Sequence, residues 1–337
     1  MQAKFFKATT LLGPQLELFL KQRKPNCLVA DMFFPWATDV ASKLGIPTLI
    51  FHGISYFALC ATLCVHLYKT HNQNEFKKMY EESMEALKSS YGVLVNSFYE
   101  LEHSYADHYR NVLGLKAWHI GPLWLCNEVE DQKLSTDEHE CMKWLDRKKP
   151  NSVVYVCFGS LANFGDAQLL EIAIGLEASG HHFIWVINKQ NIIEENWLPE
   201  GFEERIEGKG MIIRGWAPQV KILSHEAAVC AGVPMVTWPL FAEQFYNEKL
   251  ITQVLGIGVD VGAQEWIRVD GEIVKSENIE KAVRKAMVGE KAEEMRSRAR
   301  GYAEMARRAI EEGGSSYTDL NSLIEELRSR AITTETS

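Results

Sequence analysis

Short runs of β-branched and aromatic residues alternate with helical patterns along this chain. That alternation is typical of an α/β fold, in which helices cover a parallel sheet. In the first part, strands are predicted at residues 27–31, 48–52 and 92–96. A helix is predicted at 36–44, because Gly45 follows it at once and Pro47 comes soon after.

The pattern changes after residue 123. Residues 126–139 are polar and acidic and have no apolar period, which is typical of a linker between domains. The run VVYVCF at 153–158 is continuously apolar, as in a strand buried on both faces of a parallel sheet. Further strands are predicted at 183–187, 211–214, 234–238 and 257–261, and helices at 167–179, at 243–255 and from 276 onward.

Length and charge narrow the class of protein. The 337 residues exceed the roughly 150 residues of a typical domain, so two domains are expected. The formal net charge of −9 is spread along the chain. A nucleic-acid partner is therefore not expected, since phosphate backbones bind to concentrated basic surfaces.

Cysteine usage and the first residues indicate a cytoplasmic protein. The seven cysteines are scattered and have none of the paired spacings of zinc sites, so no metal site is predicted and a reducing compartment is favoured. Lys4, Lys7 and Glu17 interrupt the apolar run of the first 20 residues. We therefore expect neither a signal peptide nor stable membrane insertion.

The first candidate binding element is the turn after the strand at 153–158. Gly159 and Ser160 are small residues at the carboxyl end of that strand, where the backbone is open to a phosphate group. Strand-to-helix turns also use glycine for backbone reasons alone. The turn by itself therefore leaves a ligand role open.

The second candidate is the stretch from Trp216 to Gln244. Trp216 follows one predicted strand and the pair Glu243-Gln244 follows another, where open α/β sheets bind their ligands. An indole can stack on a planar base, and a carboxylate beside a carboxamide suits sugar hydroxyls. The alternatives are a core position for Trp216 and a helix N-terminal acid for Glu243.

This stretch resembles the signature box of plant secondary-product UDP-glycosyltransferases, the family 1 glycosyltransferases. The resemblance extends over nearly the whole chain. The matching segments are VADMFFPW at 29–36, FHG at 51–53, GPL at 121–123, YVCFGS at 155–160, WAPQ at 216–219 and AGVPMVTWPLFAEQFYNEKL at 231–250.

The resemblance implies a fold of the GT-B type, with two Rossmann-like domains facing each other. The implied organisation is an incomplete acceptor-binding domain at 1–124, a linker at 125–150, a UDP-sugar-binding domain at 151–312 and a C-terminal helix and tail at 313–337. Residues 1–20 would be the helix that precedes the strand ending in Asp31.

The resemblance also implies roles for the donor-site residues. Trp216 would stack on uracil with Ala217 and Gln219 nearby, Ser160 would approach the diphosphate, and Glu243 and Gln244 would bind the sugar hydroxyls. A terminal Gln in this box accompanies glucose in many members. UDP-glucose is therefore the expected co-substrate, a small molecule the expected acceptor, and no further cofactor is expected.

The family reaction is an inverting displacement, in which a His removes the proton of the acceptor hydroxyl and an Asp orients that His. Asp31 matches the Asp, whereas the matching His would precede the segment that this chain resembles. His52 is an alternative base, although the family has a His there in the wall of the acceptor pocket. Phe33, Phe34 and Trp36 are the other expected wall residues, which indicates an apolar, aromatic pocket.

The chain departs from the family inside the box. Between His225 and Ala231 it has only five residues, where the family has a strand, an HCGWNS-type turn and the start of a helix. The missing strand would be the central fourth strand of the sheet order 3-2-1-4-5-6. We expect a less stable second domain, and residues 234–238 moving across to heal the sheet, or partial unfolding, in preference to an open gap.

The sequence supports two alternative functions. The first is transfer of glucose from UDP-glucose to a hydroxyl of a hydrophobic plant metabolite of flavonoid or triterpenoid type. The second is a catalytically inactive homologue that lacks the base His and the diphosphate-binding turn. A nicotinamide-dependent oxidoreductase is not expected, because no G-x-G-x-x-G turn follows a predicted strand.

Overall fold

The computed structural model describes residues 2–68, 77–127, 140–159, 162, 164–187, 197–224, 232–264 and 273–335. Up to residue 127 the elements are α1 Gln2–Thr9, α2 Gly13–Arg23, β1 Leu28–Asp31, α3 Pro35–Ser42, β2 Thr48–His52, α4 Tyr56–Tyr68, α5 Lys77–Ser89, β3 Gly92–Val95, α6 Tyr99–Asp107 and β4 Ala117–His119. From 140 to 264 they are α7 Glu140–Leu145, β5 Val153–Cys157, α8 Asp166–Ser179, β6 His182–Ile187, α9 Phe202–Arg205, β7 Gly210–Arg214, α10 Gln219–Ser224, β8 Met235–Thr237, α11 Gln244–Lys249 and β9 Gly258–Asp260. The last three are α12 Ser276–Met287, α13 Glu290–Ile310 and α14 Ser315–Glu335.

The chain separates into two compact units. Unit 1 comprises residues 1–129 and 304–337, and unit 2 comprises residues 130–303. The C-terminal residues therefore group with unit 1, which differs from the division suggested by the sequence. Much of the expected linker, at 128–139, lies outside the described residues.

Unit 1 contains one four-stranded parallel sheet in the order β1-β2-β3-β4. The three strands predicted in this part of the chain are confirmed, and β4 is an additional strand of three residues. One face of the sheet packs with α4 to α6 around Ile50, Val93 and Val95. The other face packs against α14 through Leu323, which lies in a cluster with Trp118 and their neighbours on β2 and β3.

Among its described residues, unit 2 has five strands, and those that pair do so in parallel. Its core lies between the strands and the helices α8 and α12, which approach so closely that a Cβ at Gly175 would come within 2.7 Å of the Ile279 Cβ. The five strands predicted in this part are confirmed within one or two residues at each end. The predicted helix at 167–179 is likewise confirmed, and Gly180 ends it with a φ of +73°.

The strands of unit 2 form two separate sheets, β5-β6-β7 and β8-β9. The expectation that residues 234–238 would heal the sheet is wrong, because within the described part of the chain β8 pairs with β9 and not with β5. Aromatic side chains meet where that pairing would begin. The Trp238 ring lies 5.2 Å from the Phe158 ring and 5.7 Å from the Phe164 ring. The two sheets therefore contact each other through side chains at the ends of β5 and β8.

None of the helices described is both long and apolar enough to cross a membrane. No group of three or more His, Cys, Asp or Glu side chains in the described ranges is placed to hold a metal ion.

Candidate functional site

Trp216 lies in the turn that connects β7 to α10. Gly215 has a φ of +111°, a conformation that other residues rarely adopt, and it turns the chain away from the strand. The Trp216 side chain is 79% exposed, whereas Ala217 is buried. The core interpretation of Trp216 is therefore wrong. Its indole is presented to solvent, where a planar ring can stack on it.

The turn after Trp216 is held by backbone hydrogen bonds. The Gln219 N–H donates to the Ala217 carbonyl at 2.8 Å, and the Ile222 N–H donates to the Pro218 carbonyl at 3.0 Å. Ile222 is fully buried in a cluster with Val153 and Leu145, so α10 is anchored to β5 and α7. The backbone that carries the exposed Trp216 is consequently fixed.

Glu243 stands immediately before α11, at the end of the loop that follows β8. The preceding residue, Ala242, has a φ of +55°, which costs about 1–3 kcal/mol in a residue other than glycine. The Glu243 carbonyl accepts hydrogen bonds from the N–H groups of Tyr246 and Asn247, but its carboxylate does not cap the helix. The helix N-terminal position is confirmed. Because the carboxylate is not engaged as a cap, it can accept hydrogen bonds from a ligand.

Gln244, the first residue of α11, turns its side chain back onto the same loop. Its Oε1 accepts hydrogen bonds from the Leu240 N–H at 2.7 Å and from the Phe241 N–H at 3.4 Å. Only the oxygen of the amide can accept from these donors, so the orientation of the amide is fixed. The Nε2 group is then the part of the Gln244 amide that can donate a hydrogen bond to a sugar hydroxyl.

Glu248 of α11 is a half-buried acid that the sequence pattern did not indicate. The Thr237 hydroxyl donates to its Oε2 at 2.8 Å. Burial raises the pKa of Glu248 and outweighs this hydrogen bond, which acts in the opposite direction. The bond joins the end of β8 to α11 and so helps to fix the base of the loop that carries Glu243.

The turn after β5 is described only in part. Gly159 has a φ of +76°, which fits its expected role in a tight turn, whereas Ser160 lies outside the described residues. The end of β5 and the loop after β8 meet in the aromatic cluster of Phe158, Phe164 and Trp238. Trp216 follows β7, in the same sheet as β5, while Glu243 and Gln244 follow β8 in the other sheet.

Asp31 is the last residue of β1, and its side chain shapes the following turn. Its Oδ1 accepts a hydrogen bond from the Phe33 N–H at 2.9 Å. Phe33 stacks on Phe6 with ring centroids 5.1 Å apart. Trp36 donates from Nε1 to the Thr9 hydroxyl at 3.2 Å. Two of the expected pocket residues thus contact α1 directly.

Phe34 and His52 are the other two expected acceptor-pocket residues. The Phe34 ring lies 6.1 Å from that of Trp36. His52, at the end of β2, is buried, and neither ring nitrogen has a hydrogen-bond partner among the described residues. Burial lowers the pKa of His52 to about 4, so the imidazole is neutral near pH 7 and a weak proton acceptor.

A partly buried polar network in unit 1 was not predicted. Asp319 of α14 accepts a hydrogen bond from the His119 backbone N–H at 2.8 Å, and it lies 2.9 Å from His119 Nδ1 and 2.5 Å from Arg110 Nη2. Burial alone would raise the pKa of Asp319, but the hydrogen bonds from His119 and the charge of Arg110 together hold it below its ordinary value. The network fastens α14 to β4 across about 200 residues of sequence.

Comparison with known families gives a match over residues 128–297, to the family described as "UDP-glucoronosyl and UDP-glucosyl transferase". The matched range contains both Trp216 and Glu243. It also falls almost entirely within unit 2.

Two curated plant proteins are similar to nearly the whole chain. The UDP-glucose flavonoid 3-O-glucosyltransferase 7 of Fragaria ananassa is 52% identical over 392 residues, covering 98% of this chain and 80% of that protein. The scopoletin glucosyltransferase of Nicotiana tabacum is 49% identical, with 98% and 80% covered. Because the first alignment is longer than this chain of 337 residues, part of the Fragaria protein stands opposite gaps in this chain.

A solved structure shows the same relationship. The crystal structure of Glycyrrhiza uralensis UGT73P12, in complex with glycyrrhetinic acid 3-O-monoglucuronide, superposes with a TM-score of 0.90 at 36% identity. The superposition covers 99% of this chain and 80% of the other. At this identity the likeness extends beyond a shared fold.

Proposed function

Because this chain belongs to the family of UDP-glucuronosyl and UDP-glucosyl transferases and is a glycosyltransferase of the GT-B fold, we propose that it transfers glucose from UDP-glucose to a hydroxyl of a small hydrophobic plant metabolite. The acceptor is of flavonoid or triterpenoid type, and the reaction inverts the anomeric carbon. The name of the Fragaria relative supports the donor and a flavonoid acceptor. The triterpenoid-type ligand of the Glycyrrhiza structure supports the wider acceptor class.

The observation that carries the proposal is the exposed indole of Trp216 on its fixed turn. Stacking of a base on an aromatic side chain contributes about 1–3 kcal/mol, and the uracil ring would use this surface. Ala217 follows Trp216 directly, and Gln219 is the first residue of α10, so both would lie near the bound base. The Ser160 turn would approach the diphosphate.

The loop after β8 would bind the sugar. The Glu243 carboxylate would accept hydrogen bonds from sugar hydroxyls, and Gln244 would donate from Nε2 to another hydroxyl. A carboxylate and an amide donor together satisfy both hydrogen-bonding roles of a sugar hydroxyl. The hydrogen bonds from Leu240 and Phe241 to Gln244 would keep the two side chains in place before the sugar arrives.

On the acceptor side, Asp31 would have the orienting role that the resemblance implies. Phe33, Phe34, Trp36 and His52 would line an apolar pocket, in which a neutral His52 avoids burying a charge. We also place the chain in the cytoplasm. The cysteines whose side chains are described form no disulfide bond, which fits a reducing compartment.

Donor binding is tested first with UDP and UDP-glucose, by isothermal titration calorimetry on the full chain. Trp216→Ala should weaken the binding of both ligands, because both contain uracil. Turnover is then tested with UDP-glucose and a panel of flavonols and triterpenoid alcohols, with mass spectrometry to detect glucosides. Glucoside formation that disappears in Asp31→Ala would support the proposal, and failure of UDP to bind would refute its donor site.

A second candidate function is donor binding without turnover. The division of the unit 2 sheet favours it, since β5 and β8 are edge strands within the described part of the chain. The diphosphate-binding turn is expected beside these strands. UDP binding with no glucoside from any acceptor of the panel would select this candidate.

A further inference from the structure

Glu102 of α6 is a buried acid that the proposed site does not use. The residue is only 3% exposed. Burial raises the pKa of Glu102, although the hydrogen bonds that its carboxylate accepts act in the opposite direction. Burying a carboxylate is unfavourable unless its oxygens are hydrogen-bonded, so the groups that donate to Glu102 indicate what it does.

The donors to this carboxylate come from two other parts of unit 1. The Phe57 backbone N–H donates to Oε2 at 2.8 Å, and the Ser97 hydroxyl donates to Oε1 at 2.5 Å. The Tyr56 backbone N–H faces the same carboxylate and also favours its charged form. Tyr56 and Phe57 are the first two residues of α4, so Glu102 accepts from the N-terminus of that helix.

Ser55 provides the other acceptors at the start of α4. The Ala58 N–H donates to the Ser55 hydroxyl at 3.1 Å, and the Leu59 N–H donates to the Ser55 carbonyl at 3.0 Å. The first N–H groups of a helix have no partner within it. Ser55 and Glu102 together supply those partners, and a negative charge is favourable at the positive end of the helix.

The start of α4 is close in sequence to His52. Residues 53–55 are the whole connection between β2, which ends at His52, and α4. The His52 carbonyl accepts a hydrogen bond from the Asn96 N–H at 3.0 Å, and Asn96 immediately precedes Ser97. Glu102 therefore joins the two segments that adjoin His52, namely the connection to α4 and the loop after β3.

This arrangement lies at the carboxyl end of the unit 1 sheet, where open α/β sheets bind their ligands. His52 is one of the residues expected to line the acceptor pocket there. Glu102 is itself too deeply buried to touch a ligand. Any effect of Glu102 on the pocket must therefore act through the backbone that its carboxylate holds.

We propose that Glu102 is a positioning residue of the acceptor pocket, and that its carboxylate holds residues 53–57 and His52 in the arrangement that binds the acceptor. The inference rests on the acceptor side of the proposed function and does not depend on donor binding by unit 2. Without the carboxylate, the N–H groups that begin α4 lose their acceptor. The connection after His52 would then rearrange, and acceptor binding would weaken.

Three substitutions of Glu102 in the full chain separate length from charge. Glu102→Gln keeps the length, because its amide oxygen can accept from Phe57 while the Ser97 hydroxyl accepts from its Nε2. Glu102→Asp keeps the charge but is one methylene shorter, and Glu102→Ala removes both. Glu100→Ala is the matched control, since Glu100 is an exposed acid on the same helix that accepts a hydrogen bond from the Ser315 hydroxyl.

Isothermal titration calorimetry measures acceptor binding with the flavonol quercetin and donor binding with UDP. Glu102→Ala and Glu102→Asp should weaken quercetin binding by about tenfold or more, as expected from the loss of hydrogen bonds to a charged group. Glu102→Gln should restore quercetin binding to near that of the parent chain. Glu100→Ala should bind quercetin as the parent does, and UDP binding should be the same in all the variants.

Urea unfolding shows which variants are folded at the temperature of the titrations. If Glu102→Ala does not fold, the comparison of Glu102→Asp with Glu102→Gln decides. Quercetin binding that is unchanged in the folded variants would overturn the proposal and leave the proposed function intact. Equal weakening of quercetin and UDP binding would also overturn it, because Glu102 would then only stabilise the fold.

The parent chain separates this inference from the proposed function. If the parent binds UDP but not quercetin or any other acceptor of the panel, the acceptor side of the proposed function is refuted, and the role of Glu102 with it. If the parent binds quercetin, the variants alone decide the role of Glu102.

Discussion

Over the described ranges, unit 1 builds four strands into one parallel sheet in sequence order, whereas unit 2 divides five strands between two sheets. In unit 1 each strand pairs with the next one along the chain, so the order has no reversal. In unit 2 the strands β5 to β7 extend in one direction, and the chain must then return past β5 to place β8 and β9. Within the described residues, the sheet of unit 2 therefore divides where the strand order reverses, whereas the sheet of unit 1, which has no reversal, is continuous.

The strongest test of this comparison is to restore the missing pairing. Inserting between His225 and Ala231 a strand, an HCGWNS-type turn and the start of a helix, as the family resemblance implies there, should join the two sheets. The free energy of unfolding of unit 2 should rise by roughly 3–5 kcal/mol, since each buried backbone group without a partner costs about 1–3 kcal/mol. Urea denaturation followed by tryptophan fluorescence measures the change. A Gly-Ser insert of equal length is the control, and equal stability of the two inserts would contradict the explanation.

The sheet of unit 1 can be destabilised at its β4 edge, where Asp319 joins β4 to α14. Asp319→Ala leaves Arg110 and the His119 N–H without their partly buried acceptor, so unit 1 should lose about 1–3 kcal/mol. Glu326→Ala is the matched control on the same helix. It removes a largely exposed pair with Lys116, for which less than about 1 kcal/mol is expected. Urea unfolding curves compare the two variants, and equal losses would contradict a special role of the network.

The same network predicts a dependence on pH. The pKa of Asp319 lies below its ordinary value of 3.8, so the stabilisation from this group is complete above that value and is lost as the pH falls through the lowered pKa. Thermal melts should therefore show unit 1 losing stability below about pH 4. Asp319→Asn should remove the loss of stability that Asp319 causes below about pH 4. If the dependence of stability on pH were unchanged in that variant, other groups would be responsible for the loss.

The strands that the sequence predicted share one property. Each is an apolar run long enough to be recognised by itself, such as residues 153–158 in β5. The three-residue strand β4 offers no such signal. It is fixed by Asp319, about 200 residues away, and a local pattern cannot report that contact.

The candidate site could likewise be predicted only in part from the sequence. The signature box located Trp216, Glu243 and Gln244. The sequence around a tryptophan does not show whether its indole is buried or exposed. The exposure of Trp216 depends on Gly215 and on the anchoring of α10. The use of Gln244 Oε1 depends on the left-handed backbone of Ala242, which the sequence does not show.

The exposed indole of Trp216 allows ligand binding to be separated from stability in unit 2. Trp216→Ala should weaken UDP binding about tenfold, as expected from a loss of about 1–3 kcal/mol of stacking. It should barely change the unfolding free energy, because the indole is 79% exposed. Val220→Ala, on the neighbouring turn of α10 and also exposed, is the matched control and should leave binding unchanged. Calorimetric titration and urea unfolding give the two values, and a large loss of stability in Trp216→Ala would mean that the indole packs instead of binding.

The smallest expected effect concerns the two halves of the Gln244 amide. Gln244→Ala removes the acceptor of the Leu240 and Phe241 N–H groups, so unit 2 should lose about 1 kcal/mol. Gln244→Glu restores an acceptor oxygen at the same reach, and stability should recover. The donor at Nε2 is absent in both variants, so both should bind UDP-glucose severalfold more weakly, relative to UDP, than the parent chain does. If Gln244→Glu recovered this ratio together with stability, Gln244 would act only by holding the loop, and Glu243 would be left to select the sugar.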